Sequence, residues 1–93
     1  MVDQLPHHIL FYDYAQDILE RRAPHREAHL AGIRAAREAG QVVMAGALGD
    51  PPHGAAIVFR GVDPSEIEDF AQKDPYVQAG LVGDWHVERW NVV

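Results

Sequence analysis

Val42-Val43-Met44-Ala45-Gly46 and Ala55-Ala56-Ile57-Val58-Phe59 lie at the middle of the 93-residue chain, separated by a loop from Ala47 to Gly54 that contains Gly49-Asp50-Pro51-Pro52. Both stretches are short, apolar and bounded by glycine and proline, so they read as two strands of a hairpin. The loop is longer than a tight turn. What stands on either side of this hairpin decides the architecture.

Towards the N-terminus, Gly40 reads as the stop of a helix running from about Pro24 to Ala39, with proline in its first turn. Asp17-Ile18-Leu19-Glu20 reads as a short helical prelude. Before it, His7-His8-Ile9-Leu10-Phe11-Tyr12-Asp13-Tyr14 is rich in aromatic and branched residues and reads as a first strand. Its two faces are His8, Leu10, Tyr12 and Ile9, Phe11, Asp13.

Towards the C-terminus, Asp63-Pro64-Ser65-Glu66 supplies a cap, a first-turn proline and a reciprocal glutamate for a second helix, whose inward face is Ile67, Phe70 and Ala71. Asp74-Pro75 ends it, because the residue before a proline is pushed out of the helical region. Tyr76 to Leu81 has room for one further turn. Trp85 to Val93 then alternates as a last strand, with Trp85, Val87 and Arg89 on one side and His86, Glu88 and Trp90 on the other.

The order strand, helix, strand, strand, helix, strand is the split βαβ arrangement of ferredoxin-like α+β folds, an antiparallel sheet with helices on one face. One domain over residues 1–93 is expected, because a chain this short has one core. The first and last strands carry large residues on both faces, both tryptophans among them. A face of that kind is normally covered, so a homodimer with two sheets packed face to face is expected.

Composition narrows the function classes. The chain is 47% hydrophobic and 24% charged, with neither the polarity of disorder nor the apolar run of a membrane span. Met1-Val2-Asp3-Gln4-Leu5 is acidic and unlike an export signal, so a cytoplasmic location is expected. A net charge of −6 argues against a nucleic-acid partner. There is no cysteine, no threonine, one serine (Ser65) and one lysine (Lys73), so nucleophiles are few. The glycines show no phosphate-loop or dinucleotide spacing. No cofactor is expected.

The chemistry is concentrated in Arg22-Ala23-Pro24-His25-Arg26-Glu27-Ala28-His29-Leu30. At roughly 100° per residue, Arg22, Arg26, His29 and Ile33 share one arc, so polar groups stand on the stripe that faces the core and need partners there. His25 and His29 are four apart, but a histidine pair is half a tetrahedral shell and the glutamate is wrongly placed for a metalloprotease. A metal site is therefore not expected. His29 is the acid–base candidate, since imidazole titrates near neutrality and can be oriented by a carboxylate. Asp74 is the candidate carboxylate. Each also has a structural reading: His29 as a satisfied core histidine, Asp74 as a turn residue before proline.

The arrangement Arg22-x3-Arg26-x2-His29-Leu30, then Ala39-Gly40-x5-Gly46-Ala47-Leu48-x-Asp50, then Asp74-Pro75-Tyr76-x3-Gly80-Leu81 resembles the YCII-related, or YciI-like, proteins over nearly the whole chain. The resemblance implies a ferredoxin-like domain that dimerises into an α+β barrel, with a histidine and an aspartate in its cleft. By motif these are His29 and Asp74; Arg22, Arg26 and Tyr76 are the candidate ligand-binding residues of the same stretches. Where the family often has two acids before the proline, Lys73 precedes Asp74 here. Dehydrochlorinase or lyase activity on aromatic compounds belongs to a small branch of such proteins.

Two readings follow. In one, the protein is a small enzyme without a cofactor, in which His29 moves a proton, Asp74 orients it, and Arg22 or Arg26 holds an anionic oxygen in lyase or isomerase chemistry. In the other, it is a non-catalytic dimeric module that binds an anionic metabolite or a protein partner.

Overall fold

Among the described residues, four strands and four helices follow one another as β1 (His7–Tyr14), α1 (Ile18–Arg21), α2 (Ala23–Glu38), β2 (Val42–Leu48), β3 (Gly54–Arg60), α3 (Pro64–Lys73), α4 (Pro75–Gln78) and β4 (Val82–Trp90). The computed structural model describes residues 5–93; Met1–Gln4, on which the reading of the export signal turned, lie outside the described residues. The strands form one antiparallel sheet in the order β2-β3-β1-β4, with β1 and β3 central. This is the ferredoxin-like α+β arrangement expected from the order of elements, with the helices on one face.

Alternation along β1 sets that face. His8, Leu10 and Tyr12 point towards the helices and are buried, and β3 places Ala55, Ile57 and Phe59 in register beside them. Ile67 and Ala71 of α3 and Ala36 of α2 close over these residues to form the main core. A second cluster, Ile18, Tyr76 and Leu81, packs α1 and α4 against the end of the sheet.

The helix ends follow from local chemistry. Gly40 adopts φ +79°, and the bonds Gln41 N–H to Ala36 O (2.9 Å) and Gly40 N–H to Arg37 O (3.0 Å) close α2 in a Schellman motif. A residue with a Cβ would be strained there. At the start of α3, Asp63 Oδ1 accepts from Ser65 N–H at 2.9 Å and from the Ser65 hydroxyl at 2.8 Å. The cap bond thus goes to the second helical residue, and Glu66 donates its backbone N–H to Asp63 O rather than supplying a reciprocal side chain.

Several boundaries differ from the sequence expectation. The hairpin strands extend to Leu48 and back to Gly54, leaving a loop of only residues 49–53, because small residues at 45–47 and 54–56 pair without obstruction. β4 begins at Val82, three residues before Trp85, and ends at Trp90. It pairs with β1 over that length despite a bulge between Asp13 and Tyr14. The inward arc on α2 is also narrower than periodicity suggests. His29 is buried and Arg22 half-buried, but Arg26 is exposed, since a charged guanidinium without a paired anion keeps contact with water.

The face away from the helices carries Ile9 and Phe11 of β1, with Phe11 stacked on His86 of β4 at 5.2 Å. Met44 and Trp90 are 58% and 43% exposed. No helix among the described residues is long and apolar enough to cross a membrane.

The two Ser65 bonds hold the Asp63 carboxyl below the ordinary carboxylate range. Asp63→Ala is expected to lower the melting temperature by roughly 5 °C at neutral pH. Because the folded-state value is the lower one, the cap's contribution is present above the unfolded-state value and is lost as pH falls through the folded one. Melting curves of the two proteins should therefore converge in acid.

Candidate active site

Asp74 stands where α3 stops and α4 starts, in extended conformation before Pro75. Its side chain caps α4, with Oδ1 accepting the Tyr76 N–H at 2.9 Å. The same carboxylate faces His29, placed by α2 on the far side. His29 Nδ1 lies 2.8 Å from Oδ1 and 2.9 Å from Oδ2, and both residues are 5% exposed. A third element reaches the group: the Tyr12 hydroxyl of β1 donates to Oδ2 at 2.7 Å.

The buried carboxylate accepts, so Nδ1 carries the proton that points at it. In the neutral ring this leaves the lone pair on Nε2, for which no hydrogen-bond partner is present among the described residues. The imidazole is held from the side as well. Tyr76 stacks on it with ring centres 3.8 Å apart and planes within 5°, and Tyr14 meets Tyr76 edge-on at 6.2 Å. The Tyr76 hydroxyl is buried and has no hydrogen-bond partner among the described residues.

His29, Tyr14 and Tyr76 form one wall of a cleft of about 250 Å3 between α2 and the β2–β3 side of the sheet. The other wall is made of small residues, Ala45, Gly46, Ala47 and Ala55. The space exists because α2 places Leu30 and Ile33 over strands whose side chains are too small to meet them. Arg22 and Arg26 complete the lining. Neither guanidinium has a carboxylate partner among the described residues, although the chain carries a net charge of −6.

Burial is the main cause that pushes the Tyr14 hydroxyl up to about 12, with the neighbouring Tyr76 and Asp74 adding to it and the two arginines opposing it. Tyr14 is therefore a hydrogen-bond donor at neutral pH. The Tyr12 hydroxyl is raised further, by burial first and then by the charge and hydrogen bond of Asp74.

All five residues singled out in the sequence meet here: His29 and Asp74 in contact, Tyr76 against the imidazole, Arg22 and Arg26 at the cleft. Tyr12 and Tyr14 were missed. Their signal was two phenols in a strand with one face turned to the core, where a buried hydroxyl needs a partner. Ala45 and Gly46 read from sequence only as strand and Ala47 as the start of the loop, whereas all three line the cleft and their smallness is what opens it. No group of three or more histidines or acids is placed to hold a metal ion among the described residues.

Residues 7–91 match the YCII-related domain. The chain belongs to that family. Among solved structures, this YCII-related chain is similar to 5-chloro-2-hydroxyhydroquinone dehydrochlorinase (TftG) from Burkholderia phenoliruptrix AC1100, in complex with 2,5-dihydroxybenzoquinone. The TM-score is 0.79 at 21% identity, over 94% of this chain and 95% of that one. It is also similar to protein SO0527 from Shewanella oneidensis, with a TM-score of 0.53 at 20% identity over 97% and 93% of the two chains. At such identities the likeness establishes the fold. No curated protein matches the sequence.

The His29–Asp74 contact has a direct spectroscopic consequence. At a pH where the ring is neutral, 15N NMR is expected to show His29 as the Nδ1–H tautomer, and Asp74→Asn should turn it into a mixture. A wild-type ring protonated mainly on Nε2 would contradict the contact.

Proposed function

We propose that this YCII-related protein is a cofactor-independent enzyme that moves a proton on a small anionic or aromatic metabolite, with His29 as the base. The observation that carries this reading is an imidazole bonded through Nδ1 to a buried carboxylate, at the wall of a cleft that also holds two arginines with no carboxylate partner among the described residues. Nε2 takes a proton from a carbon or hydroxyl of the substrate, and Asp74 stabilises the imidazolium that forms. The negative charge left on the substrate oxygen is met by Arg22, Arg26 and the Tyr14 hydroxyl. Return of the proton to another carbon gives isomerisation; departure of a neighbouring leaving group gives a lyase reaction.

Cleft size supports a single-ring compound. Pockets for drug-sized ligands run to about 300–1,000 Å3, whereas this one is about 250 Å3. The dehydrochlorinase of similar fold, complexed with a dihydroxybenzoquinone, favours the same class.

The test is a panel of hydroxylated aromatic and enolisable small acids followed by absorbance and NMR. With an active compound, His29→Ala is expected to lower kcat/KM by about 10²–10⁴-fold with the fold unchanged. Arg22→Gln should act mainly by raising KM. Tight binding without turnover by the wild-type protein would favour the binding-module reading, in which the same arginines supply affinity alone.

A homodimer belongs to this proposal. Ile9, Phe11, Met44 and Trp90 lie on the face that no helix among the described residues covers, and obligate interfaces typically bury on the order of 2,000 Å2 or more. Sedimentation at micromolar concentration is expected to give a dimer of this chain; a monomer would remove the barrel.

A further inference from the structure

We propose that Tyr12 is a positioning residue of this site: its hydroxyl, bonded to Asp74, fixes the carboxylate and shares its charge, so that His29 can release a proton as readily as it takes one. The inference rests on the reading of His29 as base. Tyr12 does not line the cleft and is 3% exposed, so it acts through Asp74 and not on the ligand.

The geometry is that of a carboxylate with each oxygen held by its own donor. Oδ1 takes the Tyr76 N–H at 2.9 Å and Oδ2 takes the Tyr12 hydroxyl at 2.7 Å, from a residue 62 positions away in the chain. His29 Nδ1 then sits between the two oxygens, 2.8 and 2.9 Å away. Carboxylate rotation would break one of the flanking bonds. Tyr12 is a lasting donor, since its buried phenol stays protonated.

A carboxylate with fewer donors attracts the imidazolium more strongly, because less of its charge is spent elsewhere. A base held in that form returns its proton slowly and is unavailable to take the next one. Among the described residues, Asp74 is also the only anion in contact with the ring. α2 and the residue before it bring Arg26 and Arg22, β1 brings Tyr12 and Tyr14, and α4 brings Tyr76. The end of α3 brings Lys73, whereas β2 and β3 present uncharged residues. Removing the Tyr12 hydroxyl therefore changes the balance at one carboxylate and nowhere else around the ring.

The experiment is an NMR titration of the His29 ring in the ligand-free protein. In Tyr12→Phe, the pH at which its resonances shift is expected to rise by about half a unit to one unit, and in an Asp74→Asn background the same substitution should have no effect. An unmoved or lowered midpoint in Tyr12→Phe overturns the proposal, whatever happens to thermal stability. A wild-type measurement covers the case in which that variant does not fold. The Tyr12 hydroxyl proton should be visible, exchange slowly and show a cross-relaxation peak to the His29 ring; its absence overturns the bond. On an active compound from the panel, the acid limb of kcat/KM should move to higher pH in Tyr12→Phe with KM unchanged, and an unmoved limb counts against the role. Turnover that survives His29→Ala would overturn the base reading while leaving the ring titration intact, so the two failures are distinguishable.

Discussion

A carboxylate removed from water must be met by donors or by a cation, since an unpaired buried charge costs several kcal/mol. Asp74 meets that demand with groups from three elements: the Tyr12 hydroxyl of the central strand, the imidazole of α2 and the backbone N–H of Tyr76 in α4. The position of each element is thereby tied to the others at one point. α4 is a single turn that could not persist alone, and it is held by its cap, by the stack of Tyr76 on His29, and by the bond from Leu81 N–H to Tyr76 O.

Around that point the sheet is filled unevenly. Leu10 and Phe59 share the main core with Ile67 and Ala71 of α3 at one end, where Phe59 meets Phe70 edge-on at 5.3 Å. At the other end, Ala45, Ala47 and Ala55 leave the floor low beneath α2, and the cleft opens there. The charged groups follow the same division. Arg22 and Arg26 are placed where the floor is low and meet no carboxylate among the described residues, whereas Arg21 and Arg34 are engaged by Asp17 and Glu27 on the outer surface.

Local signals carried much of the fold. Asp63-Pro64-Ser65 starts a helix because side-chain oxygen, fixed φ and missing N–H all favour that geometry, and Gly40 ends one because it accepts a positive φ at no steric cost. Alternation in His7–Tyr14 assigned both faces of β1 correctly, since a strand has a period of two. Where side chains are small or partners distant the signals faded. The ends of the hairpin strands and the start of β4 are set by pairing with β3 and β1, which no local pattern encodes.

The sequence by itself determined the order of elements, the caps, and the presence of His29 and Asp74 at positions where each needs a partner. Their pairing was suggested by the motif, whereas periodicity alone favoured a satisfied core histidine. Only the tertiary structure brought Tyr12 to the second oxygen, stacked Tyr76 on the imidazole, sent Arg26 outward and left the alanine floor uncovered. The physical reason is range. Capping, proline and glycine effects act within a few residues, whereas hydrogen bonds to a buried carboxylate join groups 45 and 62 residues apart and exist only once the sheet has placed β1 beneath the turn that carries Asp74.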